Sequence, residues 1–271
     1  MISGNKTINA KFERLCDLGW VFQSLNYASA VISDEFEREF DLLLDSLLSA
    51  RFTIEDAIIK RGGGRSDQTT ALGRQFVANG WKANNITIKN RVEFSSAFSP
   101  IDTQSTTHEI DHLISNENNK LAAIEIEWNN KDEFFDRDVQ AIRRLYEMNV
   151  VDLGGIVTRS PKLEEKIPEF VLEYFINWPI KCANDFANVA SYFEQKYGRN
   201  KFSFPTDVQA AEIDRKVKAG TPYVDAASRV FVASKYAGTT TNWRQLQSRV
   251  QRKDLGRAPT ILIGIPPSAF S

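Results

Sequence analysis

An α/β fold is what this sequence predicts: a mixed central sheet flanked by helices, with a helical region at the N-terminus. Three observations carry that expectation. Apolar residues recur at helical spacing in the first third of the chain. The texture then changes to alternating apolar and polar residues from Ile86 onward. After that, a charged helical stretch separates two strongly apolar segments, the pattern of a crossover between parallel strands.

In the first third, Phe12, Leu15, Leu18, Val21 and Phe22 keep roughly helical spacing, and Phe36, Phe40, Leu43, Leu44 and Leu47 repeat it more clearly. Ser33 and Asp34 stand where they would cap the second helix. Arg61-Gly-Gly-Gly-Arg65 interrupts the pattern and reads as a turn, or as a glycine-rich loop that approaches a phosphate; it lacks the Gly-Lys-Ser/Thr ending of a Walker motif. From Ser66 a helix runs through Leu72 and Phe76 to Asn79-Gly80. Strands are expected over 86–94, 106–114 and 120–128, the last two joined by the polar turn 116–119 as an antiparallel hairpin. A charged helix over 132–148 leads to the strand Leu153–Thr158, and Pro161 opens a further helix. Helices over 184–197 and 207–218 and strands over 229–233 and 260–265 complete the reading. Two units are expected: a helical region over 1–55 packed on a domain over 56–271.

The chain has 271 residues, enough for one large domain with a small addition. No apolar run approaches a membrane span, and the start lacks the layout of a signal peptide, so a cytoplasmic protein is expected. Cys16 and Cys182 are isolated, which speaks against a disulfide framework or a structural zinc site. His108 and His112 are too few and too far apart along a strand to found a metal site. With 34 basic and 35 acidic residues the net charge is −1, which neither demands nor excludes nucleic acid; clustering of cations matters more.

The chemistry concentrates in Lys120-Leu-Ala-Ala-Ile-Glu-Ile-Glu-Trp128. Side chains two apart on a strand share a face, so Glu125 and Glu127 point one way and Ile124, Ile126 and Trp128 the other. Two carboxylates side by side on an apolar strand are destabilised by desolvation and mutual repulsion. A divalent cation offsets both, and hard oxygen donors suit Mg²⁺. Asp111, on the preceding strand, would face the pair across the hairpin. A solvated acidic strand face is the bland alternative.

Asp, a short spacer and Glu-x-Glu on the next strand resembles the PD-(D/E)XK nuclease motif, in the variant where the final Lys is Glu. That variant belongs to the BamHI and BglII branch of type II restriction endonucleases. The stretch Ala123-Ile-Glu-Ile-Glu-Trp-Asn-Asn-Lys-Asp-Glu-Phe-Phe-Asp-Arg-Asp138 is similar to the BglII-type sequence well beyond the triplet. The resemblance covers about residues 55–265, is strongest over 109–160, and leaves residues 1–50 without a counterpart. Glu127 stands where BglII-like enzymes carry Gln, nearer the BamHI-like version.

The resemblance implies a restriction-endonuclease-like core and a homodimer that hydrolyses double-stranded DNA with Mg²⁺ at a short palindromic site, leaving 5′-phosphate ends. Asp111, Glu125 and the Ile126 carbonyl would hold the metal. Glu127 would orient or deprotonate the attacking water or help hold a second metal, with Glu93 a further candidate carboxylate. The rivals are a PD-(D/E)XK nuclease of repair or recombination and a non-catalytic DNA-binding protein.

For DNA contact, Lys131 follows the catalytic strand directly. The stretch Lys235–Lys253 combines five cations with many amides and hydroxyls and has no acidic residue. Within it, Lys235, Asn242, Arg244, Arg249, Arg252 and Lys253 are the candidates for phosphate or base contact. The helix after the catalytic strand, with its mixed charge, is expected to face solvent or a second copy.

Overall fold

The computed structural model describes residues 4–61, 67–89, 91–95, 98–102, 105–199, 201–252 and 254–271. The first elements are α1 (Lys6–Asp17), β1 (Val21–Leu25), α2 (Ala28–Glu35), α3 (Glu37–Ser49) and α4 (Asp67–Ala78). Next come β2 (Lys82–Ile88), β3 (Arg91–Val92), β4 (Ile101–Asp102), β5 (Thr106–Ser115) and β6 (Leu121–Ile126). Helix α5 (Glu133–Glu147) leads to β7 (Leu153–Arg159). Five helices follow: α6 (Pro161–Asn177), α7 (Phe186–Tyr197), α8 (Asp207–Lys218), α9 (Tyr223–Lys235) and α10 (Trp243–Gln251). The chain returns to the sheet in β8 (Thr260–Ile265).

The six-stranded sheet has the order β1-β8-β7-β6-β5-β2. Its middle strands β6, β7 and β8 are parallel, while β5, β2 and β1 run antiparallel to their neighbours. This is the expected α/β arrangement, with α5 as the crossover between β6 and β7.

Alternation along the strands divides the interior. Ala122, Ile124 and Ile126 of β6 with Ile261, Ile263 and Ile265 of β8 face the large core, which also takes in Leu44, Phe76 and the aromatic cluster around Phe175, Phe193 and Phe202. On the other face, Ile156 and Leu262 meet Phe135, Val139 and Ile142 of α5 and Leu246 of α10. Gly154 lets α5 lie this close: a Cβ there would stand 2.5 Å from Ile142 Cγ2. Glu125 and Glu127 are thereby directed to the side of the sheet that α5 covers.

Several local expectations change. Val21 and Phe22 lie in β1, paired with Gly264 and Ile263, so segment 1–55 supplies a sheet strand as well as helices. Ser33 and Asp34 lie inside α2, and α3 begins at Glu37, with Phe36 at its N-cap and no side-chain capping bond. The strand expected over 86–94 ends at Ile88; Arg91–Val92 pairs separately with Ile101–Asp102. Arg229–Ala233 is helical, within α9. Its β-branched residues suggested a strand, but Ala226, Ala227, Val230 and Phe231 form a helical stripe buried in the large core. Of the Arg61–Arg65 loop, residues 62–66 lie outside the described residues.

Candidate active site

The hairpin β5–β6 is closed by Asn116, whose side-chain oxygen accepts from the amides of Asn118 and Lys120. Its register pairs His112 with Ile124. The next facing positions along the two strands are Asp111 and Glu125, where side chains replace the ladder. The Asp111 amide donates to Glu125 Oε2 at 3.2 Å, and the Ile126 amide donates to Asp111 Oδ2 at 3.1 Å. The two carboxylates are thus locked across the strand pair by each other's backbone.

Glu127 continues past the end of β6, its amide donating to Val157 O at 2.9 Å. It is 3% exposed, as is Glu125. A fourth carboxylate joins from α5: Asp138, 1% exposed, with Oδ2 buried and given no hydrogen-bond donor. It was read from sequence as part of a mixed-charge surface. Its position in the stripe Phe135-Asp138-Val139-Ile142 is the signal that could have found it, since that spacing turns it inward with the apolar residues.

Three of these four groups titrate unusually. Burial first, then the charges of Asp138 and Asp111, pushes the Glu125 carboxyl up to about 9. Burial and Asp138 push Glu127 up to about 9 as well, and burial raises Asp138. Opposing this, Asn130 Nδ2 donates to Glu127 Oε2 at 2.6 Å, and Arg137 lies beside Glu127 and Asp138.

Among the described residues, Arg137 is the cation that pairs with this group of four hard-oxygen carboxyls, through Glu127 and Asp138. That donor set suits a divalent cation. Among the described residues, no three such groups already converge on a common point.

The segment after β6 is clasped by the one before α10. Asn130 and Thr241 exchange backbone and hydroxyl bonds, Thr241 N to Asn130 O at 2.8 Å and Asn130 N to Thr241 Oγ1 at 3.1 Å. Arg159, at the end of β7 and fully buried, ties the clasp together. It donates to Asn129 Oδ1 at 2.9 Å, Thr240 Oγ1 at 3.1 Å and Thr241 O at 2.7 Å, pairs with Glu164, and lies over the rings of Trp128 and Tyr236.

The combination of a mixed sheet, a parallel β6–α5–β7 crossover and carboxylates facing each other across β5 and β6 agrees with a family comparison. The model of the restriction endonuclease BglII/BglIII family matches residues 20–265. The chain belongs to this family. It is a type II restriction endonuclease with the restriction-endonuclease-like α/β fold, a site-specific DNA hydrolase. The match begins well before residue 55, so residues 20–50, which lacked a counterpart by resemblance, fall inside the family region. No curated protein matches the chain as a relative.

The other expected site residues are distributed differently. Glu93 directly follows β3, is exposed, and pairs with Arg91 at 3.3 Å. Lys131 and Arg244 are exposed. Lys235 is not a surface cation: its Nζ donates inward to Ile58 O and Lys60 O, both at 2.5 Å, and burial pushes it down to about 7. Asn242 caps α10, accepting from Gln245 N. Arg249 is 6% exposed and held by Asp132 and Asp136, and Arg252 pairs with Asp136 and Asp254. Lys253 lies outside the described residues. His112 packs edge-on against Phe76 in the core, where its ring serves packing.

Proposed function

We propose that this endonuclease uses Mg²⁺ to cut double-stranded DNA within a short palindromic site, leaving 5′-phosphate and 3′-hydroxyl ends. It would act as a homodimer in the cytoplasm, within a restriction–modification system. The observation that carries the reading is the backbone-locked pair Asp111 and Glu125, joined by the buried carboxyls of Glu127 and Asp138.

Asp111, Glu125 and the Ile126 carbonyl would hold the metal. When bound, it polarises the scissile phosphate and lowers the pKa of an attacking water. The chain's own contribution is position. The paired strands fix the Asp111 and Glu125 carboxylates, and the α5 side of the sheet keeps bulk water from three of the four carboxylates. The clasp at Asn129–Thr241 sets the path of the backbone leaving the site. Two-fold symmetry in the protein would mirror that of the target DNA. The outer face of α5, with Gln140, Arg143, Arg144 and Glu147, is exposed and open to a second copy.

A plasmid digest tests the reading. With Mg²⁺ the wild type should give discrete fragments, and none with chelator. Smearing would support a less specific nuclease of repair or recombination, and no cleavage would support DNA binding alone.

A further inference from the structure

Arg137, the cation paired with Glu127 and Asp138, is unlike the buried Arg159. Arg159 is fully buried and spends its guanidinium on protein partners, as a structural arginine does. Arg137 uses only one side of its fork. Nε donates to Asp138 Oδ1 at 2.9 Å, and Nη2 lies 2.9 Å from Asp138 Oδ1 and 3.4 Å from Glu127 Oε1. The side chain remains 60% exposed, while both carboxylates beneath it are almost fully buried. Its guanidinium rests 4.8 Å from the centre of the Phe134 ring, which braces it from the side. A guanidinium has five N–H groups; here those on Nε and Nη2 face the cluster, and the two on Nη1 have no protein partner among the described residues.

Glu127 is equally specialised. Oε1 meets Arg137 and Oε2 accepts from Asn130, so both oxygens already have donors. Such a carboxylate is poorly placed to take a proton from water or to ligate a second ion. With Asp138 it forms instead a two-carboxylate seat that fixes a guanidinium at the edge of the site.

We propose that Arg137 is a catalytic residue of the phosphodiester cleavage, presenting its outward N–H pair to the scissile phosphate, with Glu127 and Asp138 as its positioning residues. This rests on the nuclease reading above. The attacking water adds to phosphorus and the 3′-oxygen departs, taking up a proton. Negative charge grows on the non-bridging oxygens meanwhile, and a guanidinium fork matches that charge bidentately. The motif position occupied by Glu127 carries no cation, and Arg137 would bring one to the same place from α5.

Single-turnover cleavage of a plasmid in Mg²⁺ and DNA affinity in Ca²⁺ are measured for wild type, Arg137→Ala, Arg137→Gln, Arg137→Lys, Glu127→Gln and the double variant Glu127→Gln/Arg137→Ala. Loss of one such donor typically slows the chemical step by about 10²–10³-fold. Arg137→Ala and Arg137→Gln should show a loss of that size with affinity within about threefold of wild type, and Arg137→Lys should recover part of it. Glu127→Gln should lose rate alone, but add almost nothing once Arg137 is absent, because the two act through one contact. Wild-type-like cleavage by Arg137→Ala would overturn the proposal, as would an equal loss of affinity and rate. Additive effects in the double variant would overturn the positioning role of Glu127. A wild type that fails to cut at all defeats the nuclease reading itself, whereas a cutting wild type with an active Arg137→Ala defeats only this inference.

Discussion

The two charged regions of this endonuclease are built on opposite terms. In the cluster of β5, β6 and α5, four carboxyl groups lie together with Arg137 beside two of them, and burial raises the pKa of three. In the stretch from Lys235 to Arg252, the cations mostly have internal partners: Lys235 has two carbonyls, Arg249 has Asp132 and Asp136, and Arg252 has Asp136 and Asp254. The first region gathers carboxyl groups away from water. In the second, Lys235, Arg249 and Arg252 are matched by internal partners, while Arg244 is exposed. Composition makes the two regions look alike, and partner geometry is what distinguishes them.

The largest effect that sharpens this contrast is on cleavage. Asp111→Ala or Glu125→Ala should lower the plasmid cleavage rate by at least about 10³-fold while leaving circular dichroism and DNA binding in Ca²⁺ intact. A near-wild-type rate in either variant would remove these residues from the site. The internally paired cations should answer with stability instead. Arg159→Leu removes a buried ion-pair partner and leaves Glu164 unpaired, which should cost about 3–5 kcal/mol in urea unfolding. A change below about 1 kcal/mol would show that Arg159 does not hold the clasp. Arg249→Ala, which frees Asp132 and Asp136, should cost about 1–3 kcal/mol with little change in the salt dependence of DNA binding. A shallower salt slope for that variant would return Arg249 to the DNA surface.

Acidity sharpens the comparison further. Glu125 and Glu127 keep their protons in the metal-free folded protein up to about pH 9, whereas the unfolded chain releases them near 4.5. The folded state therefore binds more protons over this window, and stability falls as pH rises through it. The window from about pH 5 to 7 is cleanest, because it lies below the titration of Lys235, which tends the other way. The melting midpoint in chelator should drop over this range, and Mg²⁺ should raise it more at pH 7 than at pH 5.5. A Mg²⁺ effect independent of pH would argue that the cluster does not bind the ion. The smallest effect is expected at Arg244, exposed on α10. Arg244→Ala should leave stability within about 0.5 kcal/mol. It should reduce the slope of log affinity against log salt by about 1, and an unchanged slope would take it off the DNA.

Much of the site was legible because strands have a strict period of two. That period placed Glu125 and Glu127 on one face and Ile124, Ile126 and Trp128 in the large core, and the Asn116 turn set the register that brings Asp111 opposite Glu125. Asp138 was legible only to a reader who took its place in an apolar stripe more seriously than its charge. Strand β1 was hidden because its partner β8 lies at the other end of the chain, and its residues also fit helical spacing. The fate of Lys235 and Arg249 could not be read at all. Their partners come from Ile58, Lys60, Asp132 and Asp136, and such long-range pairing leaves no local trace in the sequence.

The hairpin and crossover have a temporal side as well. Asp111, Glu125, Glu127 and Asp138 all fall within one hairpin–strand–helix unit, so their contacts close short loops and can form early as the chain folds. The clasp must wait for Thr240 and Thr241, which meet Asn129 and Asn130 only after more than a hundred residues have been gathered. During that interval the gathered carboxyl groups would be held before the clasp closes beside them. A divalent ion available then could act on the order of assembly, before any DNA is present.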